Sequence, residues 1–99
     1  MDTRQKIMRL IIDHLTENEQ IEYSYTGAAS TRELDVISLE FTAKKEETYG
    51  EFNIRGKTEA PLQLEAQYDG RSALNDHSAI RQQIQLDLDE LSARINRLL

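Results

Sequence analysis

No cysteine occurs among the 99 residues. Disulfides, thiolate chemistry and cysteine-ligated zinc are therefore excluded, and a reducing compartment fits. Proline occurs once, as Pro61, and no stretch is of low complexity, repeated or linker-like. A single domain over residues 1–99 is expected. The longest apolar run is only Leu10-Ile11-Ile12, far short of a bilayer span. The opening Met1 to Gln5 is polar and does not read as a signal peptide. A soluble cytoplasmic protein is the simplest expectation.

Clustered positive charge is also missing. The only adjacent bases are Lys44-Lys45, and Glu46-Glu47 follows at once. Displacing counterions from nucleic acid or anionic lipid takes a patch of Lys and Arg, so direct binding to either is not expected. The net charge is −6, and its excess sits in the middle: residues 20–70 hold ten acids and five bases. That balance permits a basic protein partner.

Hydrophobic periodicity divides the chain into three parts. Over residues 3–17, Ile7, Met8, Ile11, Ile12 and Leu15 recur at helical spacing, with Leu10 widening the stripe and Asp2 as a candidate cap. Over residues 20–70 the period drops to two. Four strands are expected there, with Ile21, Tyr23 and Tyr25 alternating in the first and Ile37, Leu39, Phe41 and Ala43 in the second. Phe52 and Ile54 carry the third, and Leu62, Leu64, Ala66 and Tyr68 the fourth. Residues 75–98 return to helical spacing. Asn75 is the candidate cap, and Ile80, Ile84, Leu88, Leu91, Ile95 and Leu98 form the apolar stripe. The resulting order, α-β-β-β-β-α, predicts an α+β fold. Short connections make the sheet a four-stranded antiparallel meander, with both helices on its apolar face. The other face is expected to stand open to water, with Glu22, Ser24, Thr26, Ser38, Glu40, Thr42, Glu51, Asn53, Glu65 and Gln67 on it.

Chemistry is harder to find. Gly56-Lys57-Thr58 looks like the end of a phosphate-binding loop. The required earlier glycine would fall at residue 51, which is glutamate, and a strand pattern follows instead of a helix. An ordinary turn accounts for it. His14 and His77 have no ligand spacing, so no metal and no cofactor are expected. His14 lies in the apolar stripe and reads as a hydrogen-bonded, partly buried side chain. Carboxylates are plentiful, but no nucleophile elbow or paired acid stands out. A non-enzyme is expected.

Interaction signals remain. Glu40, Tyr49, Glu51, Asn53 and Glu65 fall on the polar side of the strands, where a tyrosine beside Gly50 can anchor a protein partner. An edge aromatic lying over the glycine explains Tyr49 equally well. On the last helix Ala79, Leu86 and Ala93 recur every seven residues opposite the main stripe, a line through which a twofold homodimer could form. The leading reading is a non-catalytic interaction module, an adaptor or small inhibitor of a protein partner. Phages and other mobile elements can be expected to encode such domains. The alternatives are an acidic nucleic-acid mimic, which needs one continuous acidic face, and a small hydrolase or ligand-binding domain, which needs a concave polar pocket. Mixed signs around Glu46-Glu47 and Asp89-Glu90 weaken mimicry.

Overall fold

The computed structural model describes residues 3–28, 33 and 35–98. The capping role expected of Asp2, and the loop at residues 29–32, lie outside them. Helix α1 spans Thr3–Thr16, and strands β1 (Glu22–Ala28), β2 (Val36–Lys45), β3 (Thr48–Lys57) and β4 (Glu65–Gln67) follow. A short 3-10 turn at Ala73–Asp76 leads into helix α2, Ser78–Leu98. The four strands pair antiparallel in the order β1-β2-β3-β4, the expected meander.

Register shows why the alternation works. Phe41 of β2 stands between Tyr25 of β1 and Phe52 of β3, and Leu39 faces Ile54. These side chains share one face, and all but Tyr25, which is 38% exposed, form one cluster with Ile7, Ile11 and Leu15 of α1 and Ile84, Leu88, Leu91 and Ile95 of α2. Both helices therefore cover the same side of the sheet. Each buried Ile or Leu contributes about 1.5–3 kcal/mol, so this cluster is the main source of stability. The shortest dimension of the chain, 19 Å, accommodates two layers and leaves the second sheet face without a helical cover.

Geometry requires glycine at Gly27 and Gly50, as it does at Gly56. At Gly27 a bulge shifts the β1–β2 register, and the residue takes φ 157°, which L side chains rarely adopt. At Gly50 a Cβ would stand 2.6 Å from Leu74 Cγ, so only glycine lets the 3-10 turn press its buried leucine onto β3. Ser72 secures that contact by accepting from Leu74 N and donating to the Glu51 carbonyl at 2.6 Å.

The sequence reading needs four corrections. First, the fourth strand is three residues long, where alternation implied residues 62–69. Leu62 and Leu64 are buried as expected, but their backbone groups turn to α2. Asn96 accepts from Leu62 N at 2.7 Å and donates to Leu62 O at 3.0 Å, Ser92 Oγ accepts from Leu64 N at 3.1 Å, and Gln85 donates to Leu64 O at 3.1 Å. A line of polar helix side chains thus covers the outer edge of the sheet in place of another strand. Second, Asn75 does not cap α2. It lies inside the 3-10 turn and donates to Asp69 O, while the His77 carbonyl accepts the first helical bond, from Arg81 N. His77 accordingly stands just before the helix and not in its first turn. Third, Leu98 is 72% exposed, at the end of α2 beside Leu10 of α1. Fourth, Ser38 and Thr42 are buried on the polar sheet face. They are short side chains in the middle strand, and Ser38 Oγ is engaged by Asn53 Nδ2 at 3.1 Å.

Candidate protein interface

Strand pleating sets the geometry of the polar sheet face. Glu40 pairs with Asn53, Thr42 with Glu51, Lys44 with Tyr49, and Arg55 with Glu65. Residues paired in register project to the same side. Glu40, Tyr49, Glu51, Asn53 and Glu65 therefore share one face of three adjacent strands, β2 to β4. Glu40, Glu51 and Glu65 are exposed, Asn53 is half-buried, and Tyr49 is 55% exposed. Tyr49 reaches its position because β3 begins at Thr48, immediately after the two-residue turn Glu46-Glu47.

Glu40 and Glu51 are diagonal neighbours across β2 and β3. At the ~8 Å typical of that relationship, repulsion in water costs about 0.5 kcal/mol. An approaching cation would relieve this cost. A shallow groove of about 340 Å³ opens here, with Thr26, Glu40, Glu51, Asn53, Gln67 and Asp69 on its walls. Sequence reasoning placed Gln67 on this face but did not single it out, and Asp69 joins it from the turn that follows β4. Asp69 does serve the turn, since its Oδ1 accepts from Arg71 N at 2.7 Å. Toward one end of the face, Arg55 and Lys57 line a second groove of about 470 Å³ with Glu33, Glu59 and Glu65. Lys44 stands at the opposite end, beside Tyr49. The acids are thus bounded by cations on both sides.

The residues of the phosphate-loop look-alike are placed differently from such a loop. Nor do they form the expected turn: Gly56 and Lys57 end β3, paired with Ile37 and Val36, and Thr58 N donates to Asp35 O at 2.8 Å. No helix begins there. His14 lies in α1 with its Nδ1 3.1 Å from Arg94 Nη1. Among the described residues no group of three or more His, Cys, Asp and Glu side chains is placed to hold a metal ion.

The structure also assembles a polar cluster that the sequence did not reveal. Asp87 of α2 is only 8% exposed. Its Oδ2 accepts from the Tyr23 hydroxyl at 2.7 Å and from Asn18 Nδ2 at 3.4 Å, and its Oδ1 accepts from Gln83 at 3.0 Å. Burial, reinforced by the hydrogen bond to Asp87 and the nearby carboxylate charge, pushes the Tyr23 hydroxyl far above the usual phenol range. The cluster joins β1 to α2 and is closed by its own partners, so it acts as a fastening. The available cue was position: Asp87 lies three residues after Ile84 and four before Leu91, at the border of the core stripe.

On α2, Ala79, Leu86 and Ala93 are all exposed, with Leu86 at 61%. They lie away from the core stripe, as their spacing implied. No helix among the described residues is long and apolar enough to cross a membrane. No protein-family profile, curated protein or solved structure matches this chain.

Proposed function

We propose that this chain is a non-catalytic protein-interaction module, an adaptor or small inhibitor, whose uncovered sheet face receives a basic patch of a protein partner. The observation that carries the reading is the alignment of Glu40, Tyr49, Glu51, Asn53 and Glu65 on one face, with the tyrosine more than half exposed. A rigid strand surface holds these groups with little conformational freedom left to lose. Tyr49 supplies apolar area, and the carboxylates supply charge and register. The proposed setting is the cytoplasm, consistent with the lack of cysteine.

Lys44, Arg55 and Lys57 on the same face favour a protein partner of mixed charge over the groove of a nucleic-acid-binding protein. A phosphate mimic would need an unbroken acidic run. Ala79, Leu86 and Ala93 form the surface through which a second copy would pack about a twofold axis.

The test is affinity capture from the native host with immobilised wild-type protein and a Glu40→Lys/Glu51→Lys variant, followed by mass spectrometry. Both side chains are exposed, so the variant should fold. The reading predicts a protein retained by the wild type, released by raised salt and missing from the variant. Identical capture by both proteins overturns it.

A further inference from the structure

A second surface lies on the helical layer, across the core from the acidic face. α1 and α2 run antiparallel: Asn18 reaches Asp87, His14 lies beside Arg94, and Leu10 stands near Leu98. Between the helices a groove of about 470 Å³ has a floor of Leu91 and Ile95, with Leu10 and Leu98 at its mouth and His14, Arg94 and Arg97 alongside. The leucines at its mouth are not covered, Leu98 being 72% and Leu10 38% exposed.

The charge around this groove is opposite to that of the chain. Residues 3–14 hold Arg4, Lys6 and Arg9 against the single acid Asp13, and residues 91–98 hold Arg94 and Arg97 with no acid. Arg94 and Arg97 line the groove and none of its lining residues is an acid, in a chain of net charge −6. Lys6 lies one turn before Leu10 on the same side of α1. The nearest acid along α2 is Glu90, one turn before Arg94.

We infer that this groove is a docking site for an acidic segment of a partner protein that carries apolar side chains. Leucine- or phenylalanine-type side chains fill the floor, and their carboxylate neighbours meet Arg94 and Arg97, whose forked guanidinium groups suit carboxylates. Isologous packing with a second copy would set this basic patch against the same basic patch. A flat bilayer surface does not fill a trough between two helices, whereas an amphipathic segment does. With the sheet face taking a basic partner and this groove an acidic one, the domain can bridge two proteins of opposite charge.

Selection of a random-peptide phage library on the whole protein tests this. The expected winners combine Asp or Glu with large apolar residues. As synthetic peptides they should bind an Arg94→Glu/Arg97→Glu variant at least about tenfold more weakly than the wild type. A Leu98→Glu variant should lose binding similarly, and Glu40→Lys/Glu51→Lys should retain it. All these side chains are exposed, and circular dichroism confirms folding before binding is read. Basic or neutral winners, no winners, or unchanged affinity in the arginine variant would overturn the inference. So would arginine-dependent pelleting with phosphatidylserine vesicles, which would make the occupant a membrane, or self-association lost on arginine reversal, which would make it a second copy.

Discussion

The hydroxyl of Tyr23 and the carboxylate of Asp87 meet at 2.7 Å in a buried contact that joins the first strand to the last helix across 64 positions of chain. Tyr23→Phe removes that donor and leaves a buried carboxylate with only Gln83 and Asn18. It should cost about 1–3 kcal/mol in urea unfolding. Tyr68 is the internal control, because its buried hydroxyl has no hydrogen-bond partner among the described residues. Tyr68→Phe should therefore be neutral or mildly stabilising. The sign of the pH effect follows from the raised Tyr23 value. The folded state holds the phenol proton more tightly than the unfolded chain does, so this stability is complete below about pH 10 and is lost as pH rises above it, by up to about 1.4 kcal/mol per unit. Unfolding midpoints between pH 9 and pH 11 should fall more steeply for the wild type than for Tyr23→Phe.

Asn96 holds both backbone groups of Leu62. Asn96→Ala should cost about 1–3 kcal/mol and speed amide exchange at Leu62, because the edge of the sheet loses its polar cover. Loss of stability without faster exchange at Leu62 would show that α2 does not protect this edge.

The β2–β3 turn places Glu46 at φ 57°, a left-handed conformation that carries a steric cost for any residue with a Cβ. Glu46→Gly should raise stability by about 0.5–1 kcal/mol, read as a higher urea midpoint. A drop would show that the glutamate side chain contributes a contact outweighing the strain.

The two sides of α2 should respond oppositely to a charge. Leu91 is 2% exposed and Leu86 61%. Leu91→Glu should abolish the cooperative transition, because burying an unpaired carboxylate takes up much of the 5–15 kcal/mol typical of a domain's total stability. Leu86→Glu should change stability by less than about 0.5 kcal/mol. In light scattering the wild type should gain mass with concentration and the Leu86→Glu variant should remain a monomer. Equal masses for the two would remove Ala79, Leu86 and Ala93 as a self-association surface.

Much of this architecture was legible because burial imposes period. Phe41 and Phe52 sit at alternating positions and pair across the sheet, and Ile84, Leu88, Leu91 and Ile95 keep helical spacing because one side of α2 meets the core. The sharing of one face by Glu40, Tyr49, Glu51, Asn53 and Glu65 was legible for the same reason. The short β4 was not. Alternation at Leu62 and Leu64 reports which side is apolar, and it cannot say whether backbone groups pair with a strand or with Asn96 and Ser92 across more than twenty residues of chain. Asp87 was hidden likewise, since its partners Tyr23 and Asn18 become neighbours only in the folded chain. The basic setting of the α1–α2 groove is not legible in the sequence, because Asp87, Asp89 and Glu90 stand close to Arg94 and Arg97 along the chain and only the fold separates them.

The uncovered sheet face is the surface proposed to engage the partner. Amide chemical shifts of the labelled domain, recorded while the captured partner is titrated in, test it most directly. The changes should centre on Glu40, Tyr49, Glu51, Asn53 and Glu65, with Gln67 beside them. Changes confined to α1 and α2, with these six residues unmoved, would contradict it.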